Sequence, residues 1–174
     1  MRFNLVLLLF VLPTVVFGQE DKEPIYEQFR KMSGSWDGFM EYTDERDNTT
    51  VFSLPAKCQS EFDGVKWKYA VQYDHGQGDI TGGKGECTIN DYGNKMNYDG
   101  VLWEITAIKE HGDTTDIIIE TQGREKRKAT DLRRTITTTS VGFFITEEVR
   151  TAETAPNYIV RSRHLFRRPA RSKS

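Results

Sequence analysis

The chain predicts an all-β fold: an antiparallel, up-and-down β-barrel of about ten strands with one short N-terminal helix. Three observations carry this reading. Apolar and polar residues alternate over most of the chain after Trp36. Turn chemistry breaks these runs at short intervals, as in Tyr92-Gly93-Asn94, His111-Gly112-Asp113 and Ala155-Pro156-Asn157. Only one segment of the exported portion has helical spacing, and it comes first. An open sheet of that size would expose two edges, whereas rolling it closed removes both and leaves one face lining an interior.

The elements follow in order. Residues 1–18 read as a secretory signal peptide: Met1-Arg2 gives a positive start, Leu5 to Phe17 is almost wholly apolar, and Val16 and Gly18 suit the cleavage site before Gln19. The apolar run is too short to span a bilayer comfortably. A secreted or periplasmic protein without a transmembrane segment is therefore expected. It should comprise a single domain over 19–168 and a basic, disordered tail over 169–174.

Glu23 to Met32 places Ile25, Tyr26, Phe29 and Met32 on one helical face, with Pro24 suited to the first turn and Gly34 ending the segment. Such a helix predicts a cap on one barrel end. Strands are then expected near 36–43, 49–60, 65–74, 84–91, 95–99, 101–109, 115–122, 128–139, 142–152 and 157–167. In the third, Trp67, Tyr69, Val71 and Tyr73 share one face, opposite Lys66, Lys68, Gln72 and Asp74. In the sixth, Trp103 and Ile105 point inward. Asp74 to Gly83, rich in glycine, reads as the longest loop, at one rim.

The eighth and ninth strands allow a register to be written. A turn at Ser140-Val141 pairs Ile136 with Ile145, Leu132 with Val149 and Arg134 with Glu147 on one face. Arg133 then meets Glu148, Asp131 meets Arg150 and Thr135 meets Thr146 on the other. Opposite charges and like shapes coincide along the ladder, which selects this register.

The formal net charge of −2 excludes a generally basic nucleic-acid binder. Basic residues are nonetheless concentrated at the end, in Arg161, Arg163, Arg167, Arg168, Arg171 and Lys173. They read as an outward strand face and solvated tail, or as a docking patch for an anionic surface. The chain has two cysteines, Cys58 and Cys87. Export favours a disulfide between them. An intervening strand, at about 9–10 Å across, argues against it. Both readings stay open.

Gly34-Ser35-Trp36, the helix before it and the strand count resemble the calycin group of lipocalins and fatty-acid-binding proteins, the count leaning toward the ten-stranded latter. Gly34-Ser35-Trp36-Asp37-Gly38 with Tyr42, Ser53-Leu54-Pro55-Ala56, Arg133 to Thr137, Glu147-Glu148-Val149 and Arg161 to Phe166 further resemble a poorly characterised family of secreted lipocalin-like barrels from Bacteroidetes-type bacteria. The lipocalin resemblance implies an arginine near the last strand packed over Trp36, a structural role open to Arg161 or Arg163. The opening motif is also similar to nitrobindin-type haem barrels, which would give His164, on the last strand in phase with Phe166, the role of iron ligand.

The candidate ligand-binding residues are Trp67, Tyr69, Tyr73, Trp103, Arg134, Glu147 and His164. The aromatics are either core or pocket wall. Arg134 with Glu147 is a charged pair on an otherwise apolar face, at the rim with water or as an anchor for a polar head group. Asp74, His75 and Asp79 match no metal-ligand spacing, so no metal site is assigned. The chain lacks a Gly-x-Ser-x-Gly elbow, a His-Glu-x-x-His pair and a phosphate loop. The expectation is a monomeric, non-enzymatic barrel holding a small, largely apolar molecule. The alternatives are an envelope-associated scaffold with a filled barrel, and a haem barrel through His164.

Overall fold

Period-two alternation closes on itself. The computed structural model describes residues 22–169 apart from 45, 48, 126 and 127. Helix α1 (Glu23–Met32) precedes β1 (Gly34–Thr43), β2 (Val51–Phe62), β3 (Lys66–Asp74), β4 (Ile80–Ile89) and β5 (Lys95–Tyr98). These lead to β6 (Val101–His111), β7 (Thr114–Glu125), β8 (Lys128–Thr138), β9 (Gly142–Arg150) and β10 (Ile159–Arg167). Each strand pairs antiparallel with the next, and β10 returns to β1, closing a ten-stranded up-and-down barrel. The signal peptide expected over 1–18 and the tail beyond Pro169 lie outside the described residues. Among the described residues, no helix is long and apolar enough to cross a membrane.

The β8–β9 register is the one the charge pattern dictates, from Asp131 opposite Arg150 to Ile136 opposite Ile145. Its two-residue turn works because Thr139 substitutes for turn-forming residues. The Thr139 amide donates to Gly142 O (2.9 Å), and its Oγ1 accepts from the Gly142 amide (3.1 Å). One expectation is corrected: β4 begins at Ile80, and the loop contracts to 75–79. Gly82 and Gly83 pair with Gln72 and Val71 of β3. A backbone ladder needs no side chains, so the glycines that read as loop continue the strand. Because β5 has only four residues and pairs with β4 at Cys87 to Ile89, β4 from Ile80 to Gly85 is bonded on the β3 side alone.

One end of the barrel is plugged. Helix α1 turns Ile25, Phe29 and Met32 inward, all fully buried, each contributing about 1.5–3 kcal/mol of burial. Phe29 stacks on Trp67 at 6.0 Å. The one polar residue on this buried face, Gln28, is satisfied by Thr138 Oγ1, which donates to its Oε1 (2.5 Å). Trp36 donates from Nε1 to Met32 O (2.8 Å) and meets Phe143 edge-on at 5.1 Å.

The arginine over Trp36 is Arg168, whose guanidinium lies 3.8 Å from the ring centroid and donates to Ser33 O (3.0 Å). Arg161 and Arg163 do not take this role. The register explains why: Asp37 pairs with Arg167 and Glu41 with Arg163, so Arg163 sits well up the strand. Arg161 is farther still, at the opposite end of the barrel. The opening glycines follow from the same contacts. A Cβ on Gly34, at φ +130°, would meet Arg168 Nη1 at 2.1 Å, and one on Gly38 would meet Leu165 O at 1.8 Å. The Gly-x-Trp-x-Gly pattern therefore records a close chain approach where the barrel closes.

Cys58 and Cys87 are buried free thiols, so the bridge left open by the sequence is not formed. They sit on β2 and β4 with β3 between, opposite Val71 and Trp67 respectively. Four residues of offset along β3 add about 13 Å to the lateral separation, far beyond disulfide reach.

Candidate functional site

Above the plug the barrel is hollow. A cavity of about 200 Å³ is lined by inward positions of β2, β3, β5, β8, β9 and β10 and by Asp99 in the β5–β6 turn. Strand parity puts Trp67, Tyr69, Val71 and Tyr73 on its wall from β3, Arg134 from β8, Ile145 and Glu147 from β9, and His164 from β10. Of the seven residues singled out in the sequence, six line this space. Trp103 does not. It is buried at the level of Met96, its partner across β5, and lies behind Arg134.

The polar groups form two sets. Arg134 donates from Nε to Glu147 Oε2 (2.8 Å) while its guanidinium sits 4.4 Å from the Tyr98 ring and 4.9 Å from Trp103. Two aromatic faces and a carboxylate thus hold one cation in place. Tyr73 Oη and His164 Nε2 share a hydrogen bond of 2.8 Å. Burial, reinforced by the positive charge of Arg134, brings the His164 pKa down to about 4, so the ring is neutral near pH 7. Burial also raises the Tyr73 hydroxyl pKa, keeping it protonated. On the far wall Tyr69 donates to Asp99, which occupies a left-handed turn position (φ +52°) before Gly100.

Beyond the cavity, at the end away from α1, lies a wider mouth of about 760 Å³. Tyr42, Phe52, Leu132 and Val149 supply its apolar wall, with Asp44, Arg46, Arg124 and Arg161 around it. Glu147 and Ser162 line both spaces, so cavity and mouth meet at them. Arg161 reaches the mouth through a β-bulge. The β9–β10 register slips between Val160 and Ser162, which leaves Arg161 as the extra residue and re-aims its side chain.

Tyr98, Asp99, Phe143, Ser162 and Phe166 also line the cavity and were not singled out in the sequence. Parity was the available signal for three of them. Phe143 is in phase with Ile145, and Ser162 and Phe166 with His164.

Haem, which the opening motif implies, is too large for the inner cavity of about 200 Å³ that His164 lines. His164 Nε2, the atom that would face iron, is held by Tyr73.

No family model matches this chain, and no curated protein does. Among solved structures, the crystal structure of Rv2717c from M. tuberculosis is similar, with a TM-score of 0.57 and 11% sequence identity. The match covers 84% of this chain and 98% of that one. Likeness at that identity establishes a shared barrel fold.

Proposed function

We propose that this barrel is an exported binding protein that holds one small molecule in its interior without transforming it. The observation that carries this reading is the cavity itself: rings from four strands enclose it, and fixed polar groups converge on it. A scaffold barrel gains stability by filling its interior, because each empty volume forfeits packing contacts. Here the plugged end is filled and the volume around Tyr73 and His164 is left open. Tyr73, His164 and Arg134 are each locked by a partner, the arrangement that fixes a ligand's orientation.

The absence of chemistry is proposed on the character of the same groups. Arg134 is committed to Glu147, and His164 is a weak base held by a protonated tyrosine, so no activated nucleophile is assembled. Export rests on the composition of residues 1–18.

Native mass spectrometry of protein purified from its own host tests the reading. The expected result is a retained small molecule that is lost when Ile145→Trp fills the cavity of an otherwise folded protein. Wild-type protein that carries nothing, and binds no member of an apolar fluorescent probe set, would overturn it in favour of a filled scaffold.

A further inference from the structure

The wall of the inner cavity is made mainly of rings. A continuous series of ring contacts runs along it, from Tyr98 to Tyr69 (6.0 Å between centroids), then to Trp67 (4.8 Å) and Phe143 (6.1 Å). From Phe143 it passes to Phe166 (5.0 Å), His164 (6.2 Å) and Tyr73 (5.8 Å). Neighbouring planes range from near-parallel, 29° at Trp67–Tyr69, to perpendicular, 90° at Trp67–Phe143. A flat guest lying parallel to Trp67 therefore stands edge-on to Phe143, and these are the two arrangements aromatic pairs prefer. Among the apolar lining residues only Cys58, Val71 and Ile145 carry no ring.

The charges in this space are already answered. Arg134 holds Glu147 Oε2 from Nε (2.8 Å) and Nη2 (2.7 Å), and the rings of Tyr98 and Trp103 pack on its guanidinium. Asp99 is exposed, with one carboxylate oxygen taken by the Tyr69 hydroxyl and the other by the Glu86 amide (3.0 Å). A guest with a net charge would bury that charge without a counter-ion, which is heavily penalised.

A hydrogen-bonding group, by contrast, finds partners. Tyr73 Oη and His164 Nε2 share one hydrogen bond, and Nδ1 of the neutral ring has no partner among the described residues. If Tyr73 donates to Nε2, Nδ1 carries the proton and is a donor, while Oη can accept. If Nε2 donates, the hydroxyl is the free donor and Nδ1 the acceptor. Either way the couple offers one donor and one acceptor.

Resting on the proposed binding function, we propose that the guest is an uncharged, flat aromatic molecule of one or two fused rings bearing one hydroxyl or N–H group. Its rings lie against Trp67, Phe143 and Phe166, and its polar group meets Tyr73 and His164. Size agrees: an apolar cavity of about 150 Å³ holds a benzene, and this one measures about 200 Å³.

Calorimetric titration near pH 7 with four two-ring compounds tests the proposal: 2-naphthol, decahydro-2-naphthol, naphthalene and 2-naphthoate. 2-Naphthol should bind best. The saturated alcohol, which lacks ring-to-ring contacts, should bind about fivefold or more less tightly. The charged naphthoate should lose about tenfold or more, and naphthalene about threefold or more. Tyr73→Phe, which keeps the ring, should narrow the gap between 2-naphthol and naphthalene, as should His164→Asn. Ile145→Trp should abolish binding of all four.

Decahydro-2-naphthol or 2-naphthoate binding as tightly as 2-naphthol would overturn the proposal while leaving the binding function intact. A gap between 2-naphthol and naphthalene that neither substitution narrows would overturn the role given to Tyr73 and His164. If none of the four binds although the protein carries a guest from its own host, the proposal falls alone. If it carries none, the binding function falls with it.

Discussion

Replacing Arg168 by alanine should weaken the barrel where its first and last strands meet. The guanidinium lies 3.8 Å from the Trp36 ring centroid and donates to Ser33 O at 3.0 Å. An exposed guanidinium over a ring contributes about 0.5–1 kcal/mol. A hydrogen bond from a charged donor is worth about 1.5–3 kcal/mol, and exposure to water places this one at the low end of that range. Water can satisfy the Ser33 carbonyl once the arginine is gone, so the net expectation is about 1–2 kcal/mol. For a domain of this size that corresponds to a fall in Tm of roughly 3–8 °C. Urea unfolding followed by tryptophan fluorescence and near-ultraviolet circular dichroism would measure it, with Arg163→Ala as the comparison. Arg163 is exposed and should change stability by less than about 0.5 kcal/mol. A double-mutant cycle with Trp36→Leu should give coupling of at least about 0.5 kcal/mol. If Arg168→Ala and Arg163→Ala prove equally mild, the stacking does not close the barrel and the reasoning fails.

Gly38→Ala should cost more than about 3 kcal/mol or abolish folding, because its Cβ would lie 1.8 Å from the Leu165 carbonyl oxygen, a backbone atom that cannot step aside. Soluble expression and a melting curve decide this. A wild-type Tm would refute the close approach. His164 makes stability depend on acid. Its folded pKa is depressed, so the unfolded chain takes up the proton first, and stability falls as pH drops from about 6.5 toward about 4. The loss should reach up to about 3 kcal/mol and be flat above pH 7, and His164→Asn should show a shallower slope in urea titrations. Titration with haemin should leave its Soret band where it lies without protein. A saturable shift and sharpening of that band that is lost in His164→Ala would show that the cavity opens farther than its walls suggest.

The barrel was legible because burial on one face of each strand imposes alternation, and alternation survives in the sequence. The β8–β9 register was legible for a second reason: charge pairs such as Arg133–Glu148 and Asp131–Arg150 occupy both strands of a hairpin, so a local rule sufficed. Arg168 was not legible. Its place opposite Trp36 depends on closure between strands more than a hundred residues apart, and no local pattern distinguishes it from Arg161 or Arg163. The candidate site was legible where parity governs, as at Tyr69, Tyr73 and His164. It failed at Trp103, which parity turned inward but which lies behind Arg134, whose guanidinium covers its ring. It also missed Asp99, which enters the cavity from a turn.

The four-residue length of β5 has a kinetic consequence. Upper β4, from Ile80 to Gly85, is fastened along one margin only, so the tip of the β3–β4 hairpin can swing outward while the helix-capped base stays assembled. Amide protons there should exchange with solvent orders of magnitude faster than those of Ile117 or Ile136. Under the proposed binding function, guest exchange would then be timed by this flap, and residence time would be decoupled from the lifetime of the vessel itself.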